Sequence, residues 1–190
     1  AMLAPLQVCS DPELRAQALF ALGSSQAASA QPLAASTYES LAAAFSGHAL
    51  ADDALYLAAA AHLRHGERDQ AVGRFLDVVE RYPTGDFAAE ALFQLFWVAR
   101  AEGKLEEALQ YMAEIEGRWG SAEESYELER ARYWRARVLE EQSKTEDALV
   151  LLESISREHP ATYYGLLARE RVLELYAQRG AQLATAIAAA

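Results

Sequence analysis

Cysteine is almost missing from these 190 residues: Cys9 stands alone, so no internal disulfide can form and thiol content says nothing about compartment. No stretch approaches the ~20 consecutive apolar residues that a membrane span needs. The opening AMLAPLQVCS has no basic segment and no sufficient apolar run, so it does not read as a signal peptide. Ala before Met points to a cloning remnant, and a chain that begins after a removed export signal is expected. β-Branched residues are few and strand signals are nearly absent. Positive charge is the scarcer sign, with 17 Lys and Arg against 28 Asp and Glu and a net charge of −11. The acids are spread along the chain rather than gathered in a tail. Such a surface repels phosphate backbones, which makes nucleic acid and anionic membrane poor partners.

What is present is helix-forming, core-forming material: 52% apolar and 24% charged residues, rich in Ala, Leu, Glu and Arg. It repeats. Break points at Gly66, Gly103, Ser143 and Gly180 are separated by 37, 40 and 37 residues. After each of the first three comes a charged segment ending in a small residue: GERDQA at Ala71, GKLEEA at Ala108 and SKTEDA at Ala148. Four residues on stands a large apolar side chain (Phe75, Met112, Leu152), and twelve on stands a helix stop (Pro83, Gly120, Pro160). One period earlier, Ala34, Tyr38 and Leu41 precede Ala71, Phe75 and Val78 by 37.

Each period reads as a helical hairpin. Helix A closes at the glycine, which accepts the left-handed conformation of a helix end. Helix B starts in the acidic segment, where carboxylates meet the positive end of the helix dipole. The small Ala lets helix B approach helix A closely. One hairpin cannot bury its own apolar face, so neighbours stack into a right-handed α-solenoid, an all-α fold over a single domain 1–190. Hairpin units are expected at about 8–46, 50–83, 86–120 and 123–160, with a truncated one at 161–190. The helices are expected at 11–22, 33–46, 50–65, 68–82, 86–102, 104–118, 123–142, 145–158 and 161–178, plus a stub from 181. GSSQAASAQP (23–32) reads as a loosened loop, and ATAIAAA as the start of a helix whose partner lies further on.

The Ala, large-apolar and Pro positions of helix B resemble the tetratricopeptide repeat. Helix A departs from it, with Ala59, Phe96 and Ala136 where that family has Gly after Leu. The segment RARYWRARVLEEQSKTEDALVLLESISREHPATYYGLLARERV (130–172) resembles the last superhelical repeats of the soluble lytic murein transglycosylases. The resemblance rests on a YWRAR helix that includes Tyr133, Trp134 and Arg137, on the helix stop Pro160, and on the YYG-LLA-R run that begins Tyr163, Tyr164, Gly165. It implies a periplasmic scaffold carrying a separate, C-terminal lysozyme-like domain that cleaves peptidoglycan glycan strands to 1,6-anhydro-muropeptides. Nothing in this chain resembles that domain's glutamate–serine motif with its downstream GLMQ segment. Glu39–Ser40 in YESLAAAF lacks everything that should follow, so catalysis by this chain is not expected.

Other candidate chemistry is thin. Acidic pairs at Glu106–Glu107, Glu123–Glu124 and Glu140–Glu141 read as solvated helix ends rather than the two distinct carboxylates of a glycosidase. His62 and His65 stand one turn apart but have no third ligand nearby, so no metal or cofactor is expected. Cys9 has no neighbouring His or acid to activate it. More informative are equivalent positions on helix A: Tyr56, Phe93 and Tyr133 in three successive repeats, with Trp97 and Arg137 one turn on and Arg100 beyond. An aromatic and arginine groove would suit peptide or sugar; the same rings would equally serve packing between helices. One function is therefore expected, with one alternative to it. The function is that of the non-catalytic scaffold of a transglycosylase-like cell-wall protein, holding peptidoglycan or partner proteins. The alternative is a free-standing adaptor binding envelope proteins.

Overall fold

The computed structural model describes residues 11–119 and 126–188. Those residues form nine α-helices and no strand: α1 Pro12–Ala28, α2 Leu33–Ala44, α3 Ala51–Arg64, α4 Arg68–Arg81, α5 Ala88–Ala101, α6 Leu105–Trp119, α7 Tyr126–Glu141, α8 Thr145–Glu158 and α9 Tyr163–Ala188. The helices cluster into two compact units, Ala1–Glu102 and Gly103–Ala190. In the first, each of α1 to α5 packs on its neighbour in sequence; in the second, α6 to α9 do the same, and α9 also reaches back to α7.

The repeat pattern corresponds to a repeated core. Ala34, Ala71, Ala108 and Ala148 are all at most 1% exposed. The large residues four positions on, Tyr38, Phe75, Met112 and Leu152, are at most 2% exposed, and Leu41, Val78, Ile115 and Ile155 three further on are fully buried. These positions share one helical face. In the first unit the matching helix-A face is built largely of alanine, including Ala54, Ala58, Ala59 and Ala61 of α3.

The turns obey helix-end chemistry. Gly66 (φ 79°), Gly103 (φ 74°) and Ser143 (φ 61°) all take the left-handed conformation. At Ser143 the paired bonds of a Schellman close are present: its N–H donates to the Glu140 carbonyl at 2.9 Å, and the Lys144 N–H to Leu139 at 2.8 Å. Gly66 and Glu67 make the same pair to Leu63 and His62.

Three expectations need correction. The segment 23–32 is not a loop: α1 runs on to Ala28, and its turn closes at Ala30, φ 52°, with the same two Schellman bonds. Gly23 is buried inside that helix, where an added Cβ would lie 2.7 Å from the Tyr38 ring. Gly180 is not a break either, since α9 runs continuously from Tyr163 to Ala188 with no stub after it. Nor is Glu140 solvated. Its side chain is 10% exposed and pairs with Arg171 and Arg137. Cys9, Gly120 and the Glu123–Glu124 pair lie outside the described residues.

Candidate functional site

On α5, Phe93, Trp97 and Arg100 recur at helical spacing and gather on one half-buried face. The Phe93 and Trp97 rings meet edge to face with centroids 5.8 Å apart, and the Arg100 guanidinium lies 5.2 Å from the Trp97 centroid. Phe96, fully buried, supports both from beneath. Tyr56 of α3 stacks on Phe87 at 4.4 Å and touches Phe75 at 5.5 Å, so it leans on the repeat's own core.

In the second unit Tyr133 is 6% exposed and belongs to the core around Leu152, Ile155 and Ala168. Trp134 and Tyr164 flank its ring at 5.6 and 5.5 Å. Arg137 Nη1 donates to the Tyr133 hydroxyl at 3.4 Å, and its Nε sits 3.4 Å from Glu140. Glu140 also takes Arg171 Nε at 2.9 Å. That bridge holds the Arg171 guanidinium above its ordinary range, chiefly through the Glu140 hydrogen bond. Arg137 is thus committed to an internal network.

The turn between α8 and α9 forms a cleft that the sequence reading did not foresee. His159 and exposed Pro160 end α8. Thr162 then caps α9: its hydroxyl accepts from the Gly165 N–H at 3.1 Å, the usual satisfaction of an orphan helix donor. The same hydroxyl donates to Glu129 of α7. Glu129 is 5% exposed, and its other near partner is His159 Nδ1 at 3.5 Å. The cleft encloses about 390 Å³ and is lined by Glu129, Glu158, His159, Tyr126, Tyr163 and Tyr164. The Tyr164 ring lies between Tyr126 (5.5 Å) and Tyr163 (5.1 Å). Burial raises the Tyr164 phenol above its ordinary range, and its bond with Tyr126 adds to this, so the hydroxyl stays neutral. A signal for Glu129 did exist: it stands four residues before Tyr133, on the inward face that also carries Ala136 and Glu140.

His62 is used differently from a metal ligand. Its Nδ1 contacts Glu67 at 2.6 Å and its Nε2 contacts Glu39 at 3.1 Å, while Arg74 Nε donates to Glu39 at 2.8 Å. These contacts tie α2, α3 and α4 together. His65 is exposed at the end of α3. Among the described residues no group of three or more His, Cys, Asp or Glu could hold a metal ion.

The family model described as tetratricopeptide repeat matches residues 53–85 and 130–162, that is α3–α4 and the α7–α8 hairpin with its closing turn. The chain is built of tetratricopeptide-like repeats. Among solved structures, a Podosopora anserina chain of nearly identical tetratricopeptide-like repeats superposes with a TM-score of 0.64 at 16% identity, covering 92% of this chain and 91% of that one. A variant of the same protein gives 0.63 at 16% identity, over 89% and 88%. At such identities the likeness is one of fold. No curated protein matches this sequence.

Proposed function

We propose that this tetratricopeptide-like scaffold binds a segment of a partner protein and works by position rather than by chemistry at its own residues. The observation that carries the reading is the α5 face, where a half-buried Trp97 with Arg100 over its ring stands beside Phe93 on helix A of a repeat. Tryptophan and arginine are the side chains most enriched among those that dominate protein interfaces. Tyr56 belongs to the same reading, with its ring braced by Phe75 and Phe87. Tyr133 and Arg137 contribute by holding the second unit's helix A in shape. No helix of the described residues is long and apolar enough to cross a membrane.

The test is selection of short peptides on the purified chain, followed by Trp97→Ala and Arg100→Ala. Selected peptides should bind each variant about tenfold more weakly while melting temperatures stay close to the parent's. If the parent selects no peptide, or the variants bind as the parent does, the reading fails.

A finer reading is favoured by the 130–172 segment: the non-catalytic superhelical part of a transglycosylase-like periplasmic protein that positions peptidoglycan. It is supported by the way YWRAR and YYG-LLA-R come together, through Tyr133, Trp134 and Tyr164, around one core. The free-standing envelope adaptor is its rival. Purified sacculi separate the two: the scaffold should co-sediment with them and leave them uncleared, whereas the adaptor should stay in the supernatant.

A further inference from the structure

The cleft at the α8–α9 turn contains a buried carboxyl group that is met by a threonine hydroxyl and a histidine ring rather than by a lysine or arginine. Glu129 is 5% exposed, yet among the described residues no lysine or arginine pairs with it. Its partners are the Thr162 hydroxyl and, at 3.5 Å, one ring nitrogen of His159. Buried carboxylates are ordinarily matched by a cation, because desolvation of an unpaired charge is costly. The contrast lies within the same unit: Glu140, 10% exposed at its side chain, is met by Arg171 and Arg137, and Glu116, at 18%, by Arg135 and Arg132.

Glu129 lines a hollow rather than a sealed core. A second carboxylate, Glu158, stands in the same wall and has Arg132 Nη1 at 2.9 Å. The remaining walls are tyrosine, with Tyr126 and Tyr163 exposed by 53% and 65% on either side of buried Tyr164. Arg130 lies 5.3 Å from the Tyr126 centroid, so this ring already carries a guanidinium on the protein's side. Rings around a carboxylate are the composition that holds ammonium and guanidinium groups, through cation–π attraction and a charge-assisted hydrogen bond. The net charge of −11 steers basic segments toward the surface as a whole.

The geometry points to the α7/α8–α9 cleft as the seat of a lysine or arginine side chain from a basic partner segment, its head group directed at Glu129 between Tyr126, Tyr163 and Tyr164. This rests on the reading of the chain as a protein-binding scaffold and adds the partner's chemistry.

The test uses small monovalent probes on the full chain: Nα-acetyl-lysine methylamide and Nα-acetyl-arginine methylamide, with the glutamine analogue as neutral control, in 150 mM salt. Amide chemical shifts are followed by two-dimensional NMR. The basic probes should shift the amides of 129 and 159–164 saturably, the glutamine analogue should not, and Tyr163→Ala should weaken binding about fivefold. Glu129→Gln should abolish it. If Glu129→Gln lowers the melting temperature, exposed Tyr163 and Tyr126→Ala carry the test alone. Shifts spread over acidic surface and indifferent to Tyr163→Ala would overturn the proposal. So would an N-acetylglucosamine oligomer that moves the cleft amides when the basic probes do not. Loss of the cleft response while Trp97-dependent peptide binding persists would remove this inference and leave the scaffold reading standing.

Discussion

Gly165 faces the main-chain carbonyl of His159 so closely that a Cβ at that position would lie 2.8 Å from the carbonyl carbon and well inside contact with its oxygen. The glycine therefore sets how tightly the first turn of α9 folds back on the end of α8, with Thr162 capping across the gap. A main-chain carbonyl cannot swing aside as a flexible side chain can. Gly165→Ala should destabilise the chain by about 2–3 kcal/mol, as overpacking of a tight contact does. Urea unfolding measures it; a change within about 0.5 kcal/mol, the range of ordinary surface substitutions, would show that the turn relaxes freely.

Gly180 should respond in the opposite sense. It sits inside α9, and an added Cβ would meet nothing within 4 Å. Glycine in a helix interior costs roughly 0.5–1 kcal/mol relative to alanine. Gly180→Ala should raise helical ellipticity and stability by that order. A loss of helix would mean that α9 does break there.

Ser143 and Ala30 hold the left-handed position that Gly66 and Gly103 occupy in the other turns. A residue with a Cβ carries a penalty of roughly 1–2 kcal/mol in that conformation. Ser143→Gly and Ala30→Gly should each stabilise by up to about 1 kcal/mol once the greater backbone freedom of glycine in the unfolded chain is offset. Both can be read from thermal melts, and a lowered melting temperature for either would contradict the geometry.

Tyr111 titrates late. Burial and its hydrogen bond to Glu107 push the phenol up to about 12 from an ordinary value of 10.0. A group whose folded value is raised contributes stability fully present below its unfolded value and lost as pH rises through the folded one. Alkaline destabilisation should therefore appear between pH 10 and about 12, and Tyr111→Phe should flatten that part of the profile. Phenolate absorbance should show both Tyr111 and Tyr164 missing from the titration near pH 10 in the folded protein and present in urea.

The hairpins were legible because helix ends have strict chemistry. Glycine at a left-handed C′ and a small residue in helix B repeat where the chain must turn and approach, and those positions are what the periodicity found. Ala30 was missed because alanine gives no such signal, although its backbone does what Gly66 does. Gly23 and Gly180 misled for the converse reason. A lone glycine between good helix formers is carried along by the helix, and at Gly23 the missing side chain makes room for Tyr38, a tertiary contact invisible from local sequence. Of the residues expected to line a groove, spacing alone placed Phe93, Trp97 and Arg100 together. It could not separate them from Tyr133, which has the same position in its repeat but lies in the core. Glu129 was legible only through its register with Tyr133 and Ala136 on the inward face of α7, a signal that its charged neighbours in YELER obscure.

The alanine face of α3 makes the first unit's tolerance to mutation lopsided. Ala54 and Ala58 are fully buried and Ala61 nearly so, against Tyr38 and Leu41 of α2 and their surroundings. Truncation to glycine removes one methyl and costs roughly 0.5–1 kcal/mol in helix propensity, less than overpacking does. Any growth, even to valine, inserts atoms where backbones are already close. Substitutions along α3 should thus be filtered by volume rather than by polarity, and random mutagenesis should recover serine and glycine there far more readily than leucine or valine. The aromatic and leucine positions of the α2 and α4 faces should show the reverse bias, since for them the damage comes from shrinking.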